Sequence, residues 1–140
     1  MSLKQAIQDD LKAAKVPVVV HPPMYRAWGD YENASFTTAG VLAKAGIPVA
    51  LQGGYESYVP KARVVLFEAQ VAAAHGLGGE GALRAITIDA AKILGVADRI
   101  GSIETGKDAD LAMFDGDPLE YTTHCTGTLI QGREFPGEAR

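Results

Sequence analysis

Residues 47–54 read IPVALQGG, an apolar run that ends in a glutamine and two glycines. Such a run, bounded by turn residues, is typical of a β-strand that is buried on both faces. A second run of the same kind, VPVVV, occupies residues 16–20 and contains a proline near its start. We therefore predict two buried strands, over residues 16–20 and 47–51.

Helical patterns surround the two predicted strands. Apolar residues recur three and four positions apart within residues 3–15, which predicts a helix that packs one face inward. Residues 35–38 offer caps for a second helix that ends at Gly46, and further helices are predicted over residues 64–75, 80–87 and 89–94. The order α, β, α, β, α implies parallel strands joined by a right-handed crossover, so the predicted class is α/β.

From Ile100 onward, short apolar pieces alternate with turns, at residues 102–103, 111–114, 127–130 and 133–135. Gln131 and Gly132 separate the last two pieces, and a two-residue connection of this kind predicts a β-hairpin. We expect these pieces to form a β layer of their own.

Residues 107–121 read KDADLAMFDGDPLEY and hold four aspartates within ten residues. A calcium loop that begins at Asp108 would need an oxygen donor at its fifth position and a glycine at its sixth, but Ala112 and Met113 stand there. We interpret Leu111–Phe114 instead as a short strand between two turns.

The composition limits the possible functions. The chain has 140 residues, of which 47% are hydrophobic and 21% are charged, and its formal net charge is −4. Because the basic residues form no patch, we do not expect nucleic acid as a partner. No apolar run reaches about 18 residues, so we expect neither a membrane span nor a signal peptide. The single cysteine, Cys125, suits a reducing compartment, and we expect a cytoplasmic protein.

Candidate ligand-contacting residues follow the two predicted strands. His21 stands at the carboxyl end of the first, where α/β proteins gather binding groups, although a histidine bonded to nearby backbone fits the same position. The loop after the second strand carries Glu56, a possible acid or base, behind two glycines that also suit a tight strand exit.

Other motifs give little support for cofactors. The three histidines lack the HxH or HExxH spacing that would bring two nitrogens to one ion. Residues 76–81 match GxGxxG, but a predicted helix precedes them where a dinucleotide site needs a strand, so we read a helix–helix connection. His124 stands beside Cys125, so a nucleophile formed by the thiol and the imidazole stays a possibility. Such a nucleophile would need a third group to orient the imidazole.

The ordered motifs resemble the C-terminal part of an amidohydrolase-superfamily enzyme, and in particular the imidazolonepropionase-like metal-dependent hydrolases. The likeness runs from about residue 5 to about residue 135, through GIPVALQGG, RVVLFEA, ALRAITIDAAKILGV, DRIGSIETGKDADLAMFDGDP and LIQGREF. It implies that residues 3–95 are the last two βα units of a TIM-barrel-like fold. It also implies that residues 96–140 are short β strands of a small β-sandwich domain.

The resemblance implies hydrolysis of non-peptide C–N bonds, in a cyclic amide or a related small molecule. Intact members of the family use zinc or another divalent metal, which lowers the pKa of bound water towards about 7. Most metal ligands of the family lie on strands with no counterpart here, and the last ligand, an aspartate, falls at Gly54. We therefore expect no metal, no cofactor and no catalytic residue on this chain alone.

The resemblance also implies that the loops after the two strands line the substrate pocket. The substrate-lining candidates are His21, Tyr25, Arg26, Gln52, Tyr55 and Glu56. Whether Glu56 replaces the absent aspartate stays open.

Two strands of a barrel would leave parallel edges without partners. We expect either the missing N-terminal part of the enzyme or a second copy to cover them, drawn by apolar faces exposed at Val18, Val20, Val49 and Leu51. The expected function is that of an enzyme fragment which is inactive alone. The alternatives are a non-catalytic binding or scaffolding module and one half of a split hydrolase.

Overall fold

The computed structural model describes residues 3–20, 35–56, 59–60 and 64–137. In chain order, its elements are α1 (Leu3–Ala13), β1 (Val18–Val20), α2 (Thr38–Lys44), β2 (Val49–Leu51), β3 (Tyr55–Glu56), β4 (Val59–Pro60), α3 (Val65–Ala72), α4 (Gly79–Ile86), α5 (Ile88–Ile93), β5 (Leu111–Phe114), β6 (Cys125–Ile130) and β7 (Arg133–Pro136). The predicted α/β class is confirmed.

The two predicted strands pair in parallel. Val18 lies opposite Val49 and Val20 opposite Leu51, and the N–H of Val18 donates to the carbonyl of Pro48 at 2.9 Å. All three residues of β2 are buried, as expected for a strand covered on both sides.

The core lies between this sheet and the helices. Val20, Val49 and Leu51 pack in one cluster with small residues of α2, α3 and α4, namely Ala39, Ala69, Ala72, Ala82 and Ala85. Fully burying one Val or Leu side chain stabilises a fold by about 1.5–3 kcal/mol, so these three side chains are a main source of stability. Alanines let the helices approach the strands closely.

The prediction of an exposed face at Val18, Val20, Val49 and Leu51 is wrong. Val20, Val49 and Leu51 are buried in the core and Val18 packs against it, because this face of the sheet is the one that the helices cover. Side chains alternate between faces along a strand, so Val19 points to the opposite side, and it is 48% exposed. The prediction that the first strand is buried on both faces is wrong for this reason.

The first strand is also shorter than predicted. α1 ends at Ala13, and Lys15 adopts a positive φ of 53°. The N–H of Val16 then donates to the carbonyl of Leu11 at 3.1 Å, which closes the helix end. Residues 14 and 15 form the turn, residues 16 and 17 have no regular structure, and the strand begins at Val18.

The helix predicted over residues 64–75 is interrupted. A π-helical turn, Ala73–Leu77, follows α3, and His75 and Gly76 leave helical geometry within it. Gly76 has a φ of 107°, which a residue with a side chain rarely adopts. The GxGxxG match over residues 76–81 thus lies where α3 passes into α4, and the predicted helix–helix connection is confirmed.

The C-terminal strands form a three-stranded antiparallel sheet in the order β5-β6-β7. Leu111 lies opposite Leu129, and a bulge places one extra residue, Thr126, between the partners of Met113 and Phe114. Gln131 and Gly132, with φ of 50° and 76°, make the predicted two-residue hairpin turn. The strand piece predicted at residues 102–103 is wrong, since Ser102 lies in a bend and Ile103 has no regular structure.

Specific contacts connect the segment after α5 to the helices. Leu119 packs against the core, and the amide of Gln70 reaches the carbonyl of Pro118 at 3.5 Å. A side chain at Gly101, whose φ is 93°, would lie 2.7 Å from the Cβ of Ala91. The chain therefore passes directly over α5 before it enters the β layer.

The contact between α2 and the π-helical turn can be tested at Gly40. A Cβ added there would lie 2.6 Å from the carbonyl carbon of Gly76, and that atom is backbone, which moves only at high cost. We expect Gly40→Ala to lower the free energy of unfolding by about 1–3 kcal/mol, although alanine is the better helix former. Chemical denaturation measures this change.

Gly79→Ala is the matched control for Gly40→Ala. It also replaces a helical glycine, but the added Cβ would meet only the side chain of Leu119 at 3.6 Å, an ordinary contact. This variant should be neutral or slightly stabilising. Equal effects of the two substitutions would contradict the described packing.

Candidate functional site

The candidate site lies at the carboxyl ends of β1 and β2. Because the strands are parallel and Val20 lies opposite Leu51, the chain leaves both of them at the same edge of the sheet. Neighbouring strands lie about 4.8 Å apart, so the ends of the two strands, Val20 and Leu51, lie next to each other. This is the edge at which open parallel sheets bind ligands.

Of the predicted substrate-lining residues, His21, Tyr25 and Arg26 lie outside the described residues, and their role stays a prediction. Gln52 is described and is exposed directly after β2. Tyr55 and Glu56 are described in backbone only, as β3.

The loop after β2 contains a feature that sequence patterns did not predict. β3 pairs with β4 in antiparallel fashion, with Tyr55 opposite Pro60 and Glu56 opposite Val59. Gly54 precedes this short ribbon with a φ of 72°, a conformation that favours glycine. The ribbon fixes the backbone of Tyr55 and Glu56, with three residues between it and the end of β2. Two-residue strands leave almost no pattern in a sequence, which explains why it was missed.

Gly54 is also the position at which the resemblance places the family's aspartate. Glycine offers neither a metal ligand nor a proton carrier. Its positive φ means that an aspartate here would have to adopt the strained left-handed region. The positive φ of this loop position therefore suits glycine better than the family's aspartate.

Sequence analysis also missed Glu68 in the first turn of α3, which is only 3% exposed. Its neighbours in the helix are apolar, and a carboxylate this deeply buried is normally paired or hydrogen-bonded. The signal in the sequence is a single charge within the run VVLFEAQVAAA. Glu68 is thus a buried polar element close to the start of the helix that follows the candidate site.

Metal-binding side chains do not cluster in the part of the chain that the structure describes. Within residues 3–20, 35–56, 59–60 and 64–137, no group of three His, Cys, Asp or Glu residues lies in reach of one ion. His75 instead contacts the ring of Phe36, with ring centroids 5.0 Å apart.

The Cys125–His124 alternative has a partial counterpart in the structure. Asp115 contacts His124: its Oδ1 accepts the backbone N–H of His124 at 2.7 Å, and its Oδ2 lies 3.4 Å from Nδ1 of the same residue. The thiol of Cys125, however, donates to the carbonyl of Gly127 at 3.4 Å. The described contacts thus join Asp115 to His124 and direct the thiol to backbone.

The pKa of Asp115 lies below its usual range. The largest cause is the hydrogen bond from the backbone N–H of His124, which stabilises the charged carboxylate. This bond ties the turn after β5 to the residue before β6.

No helix among the described residues is long and apolar enough to cross a membrane.

A family model described as "Amidohydrolase family" matches residues 60–134, which is more than half of the chain. An imidazolonepropionase of Fusobacterium nucleatum is 34% identical over 87 residues, or 61% of this chain and 21% of the relative. An imidazolonepropionase of Thermoplasma volcanium is 32% identical over 94 residues, or 64% of this chain and 23% of the relative. The chain spans about a fifth of the length of these curated relatives.

Solved structures show the same likeness. An amidohydrolase from Thermotoga maritima matches with a TM-score of 0.85 and 34% identity, over 94% of this chain and 34% of that chain. An adenosine deaminase from Xanthomonas campestris, solved with bound zinc, matches with a TM-score of 0.69 and 27% identity, over 95% of this chain and 35% of that chain.

The Asp115–His124 contact makes a prediction about pH. Because folding lowers the pKa of Asp115, the charged carboxylate stabilises the fold above its ordinary pKa of about 4, and this contribution is lost as the pH falls through the lowered value. Asp115→Asn keeps an acceptor oxygen but does not titrate. We expect the native chain to be more stable than this variant at pH 6, and the difference to shrink steadily below about pH 4.

Denaturant unfolding of both proteins between pH 2 and pH 6 (about the range in which aspartates titrate) measures this difference. A stability difference that stays constant over the whole range would contradict the assigned contact.

Proposed function

This chain belongs to the amidohydrolase family, and we propose that it is the C-terminal segment of a metal-dependent amidohydrolase which hydrolyses non-peptide C–N bonds and is inactive alone. One observation carries this proposal. The fold matches the Thermotoga maritima amidohydrolase along 94% of this chain, yet it accounts for only 34% of that enzyme. Almost all of this chain therefore corresponds to about one third of such an enzyme, and the other two thirds have no counterpart in it.

The substrate class that we propose is a cyclic amide or a related small molecule. Support comes from the matched relatives in Fusobacterium nucleatum and Thermoplasma volcanium, which are imidazolonepropionases. An imidazolone is a five-membered ring that contains an amide, so its opening requires hydrolysis of a C–N bond.

Within such an enzyme, we propose that this chain contributes residues that line the substrate pocket and does not contribute the metal ligands. The parallel strands β1 and β2 present two loops at one edge, and the β3–β4 ribbon fixes part of the second loop. Gln52 can donate and accept hydrogen bonds with its amide, which suits recognition of a polar ring. His21, Tyr25, Arg26, Tyr55 and Glu56 remain the other proposed lining residues.

The described residues do not fit a metal site of their own. The zinc-bound relative supports a metal-dependent reaction in the family, but Gly54 has no side chain to offer, and no group of three potential ligands lies together in the described part of the chain. We therefore derive no catalytic step through a metal from this chain.

One half of a split hydrolase is the alternative that a specific observation favours. Val19 is a large apolar side chain exposed on a sheet, and the described residues place no further strand beside β1. In either form, we propose that residues 3–95 carry the pocket loops, that residues 96–140 are a β domain, and that other residues supply the metal ligands.

The proposal predicts that the chain alone neither holds a metal at full occupancy nor turns over substrate. After incubation with zinc and removal of the excess, metal analysis should find well below one ion per chain, because too few ligands converge. Hydrolysis of simple amides, lactams and imidazolones should stay at the rate of a buffer control.

Cys125→Ala is the matched variant for this measurement, since an exposed thiol can bind zinc or act as a nucleophile without an amidohydrolase site. Stoichiometric zinc with turnover that persists in Cys125→Ala would contradict the proposed inactivity. Turnover that disappears in this variant would support the thiol–imidazole alternative instead.

A further inference from the structure

Glu68 is a buried carboxylate to which the proposed function gives no role. It lies in the first turn of α3 and is 3% exposed, and among the described residues it is the only charged one in the buried core. Burying a carboxylate is costly unless the surrounding fold satisfies it. The amino end of a helix favours a negative charge in its first turn, so α3 itself stabilises the ionised form. The location of Glu68 in the fold indicates what this charge acts on.

The direction of α3 places Glu68 on the side of the candidate site. The π-helical turn after α3 ends at Leu77, which lines a cavity together with Ile47 and Val49 at the amino end of β2. The chain enters α3 from the loop that leaves the carboxyl end of β2. α3 therefore runs antiparallel to β2, and its first turn lies towards the edge at which β1 and β2 end.

The side chain of Glu68 lies on the face of α3 that packs against the strands. Ala72, one turn later on the same face, is fully buried in the core cluster that contains Leu51. Glu68 lies about 6 Å closer to the start of the helix, since a helix rises about 1.5 Å per residue. Side chains of a helix also tilt towards its start. The carboxylate is therefore directed towards the exit of β2, where Gln52 and Gly54 begin the loop.

We propose that Glu68 is a positioning residue of the candidate site, and that its ionised carboxylate fixes the conformation in which the chain leaves β2 through Gln52 and Gly54. Gly54 has a φ of 72°, and Gln52 is the exposed residue whose amide we propose for the substrate pocket. This inference rests on the proposed function and adds to it the residue that orients one wall of the pocket.

The sequence of this exit does not by itself specify one conformation. Two consecutive glycines, Gly53 and Gly54, follow Gln52, and glycine gives the backbone more freedom than any other residue. A buried charge attracts the N–H groups and dipoles of nearby backbone, and this attraction is strong where water is excluded. We therefore expect Gln52 to keep one orientation only while Glu68 carries its charge.

The charged groups on the described elements that pack against α3 are paired, exposed or in contact with a ring. β2 carries none, α4 carries Glu80 and Arg84, and the π-helical turn carries His75. Arg84 pairs with Asp89 at 2.8 Å. Glu80 is exposed, and the ring of His75 contacts an aromatic ring. Glu80 is therefore the matched control for Glu68, since it is the same residue type on the neighbouring helix.

Nuclear magnetic resonance of the isolated chain tests the proposal, because it requires neither a metal nor turnover. The carboxyl carbons of glutamate are labelled with ¹³C and the backbone with ¹⁵N. Both are followed between about pH 3 and pH 9, a range in which exposed and most buried glutamates titrate. We expect the amide signals of Gln52 and Gly54 to shift with the same midpoint as the carboxyl carbon of Glu68. The amide of Val49, at the amino end of β2, should not follow this titration.

Two variants assign the titration to its source. Glu68→Gln keeps nearly the same shape but cannot titrate, so the shared inflection should disappear from the amides of Gln52 and Gly54. Glu80→Gln removes an exposed carboxylate and should leave that inflection unchanged. If Glu68→Gln does not fold, the comparison of carboxyl and amide midpoints in the native chain decides alone.

Any of four results would overturn the proposal. They are a Glu68 carboxyl that does not titrate in this range, amides of Gln52 and Gly54 that do not follow it, an inflection that persists in Glu68→Gln, and an inflection that disappears in Glu80→Gln. Turnover by the isolated chain would instead contradict the proposed inactivity and leave the role of Glu68 as it is. The two proposals can therefore fail separately.

Discussion

The parallel pairing of β1 with β2 is the constraint on which the described fold depends. Only three residues of each strand pair, but the register fixes which side chains meet the helices and which edge carries the loops. A shift of β1 by one residue would move Val20 to the opposite face and place Val19 in the core. The position of the candidate site follows from the same register, because both loops begin where the paired strands end.

Close packing of small residues supports this pairing. Alanines on three helices line the strands, and Gly40 lets α2 touch the backbone at Gly76. Such packing has little tolerance for added volume, since interiors are as dense as organic crystals. The core therefore specifies the arrangement of the helices even though its side chains are small.

The predictable part of this fold is the part with long or periodic patterns. The apolar runs ending at Val20 and Leu51 identified both strands, and Gln131-Gly132 identified the hairpin. The predictions that failed concern features that depend on tertiary structure. Which face of the sheet the helices cover cannot be read from two runs that are apolar throughout, so the exposed valine was misplaced. The contact of Asp115 with His124 joins two residues whose proximity leaves no mark in the sequence. The burial of Glu68 is marked only by a single charge within an apolar run.

The sequence predicts the location of the candidate site better than it predicts the contacts within it. Strand ends in an α/β pattern indicated the loops, and the glycines after Leu51 indicated a tight exit. The β3–β4 ribbon and the positive φ of Gly54 could not be predicted from the sequence, because both are features of the backbone geometry. The family likeness covers about a third of a solved enzyme, and the described part of the chain places no further strand beside β1.

Residue-resolved amide hydrogen exchange of the isolated chain tests this central claim most directly. If β1 is paired on one edge only, the amide of Val18 should exchange slowly, and that of Val19 should exchange at close to the rate of an unstructured peptide. Comparable protection of the two amides in the monomer would contradict the account, because it would mean that the outer edge of β1 is already covered.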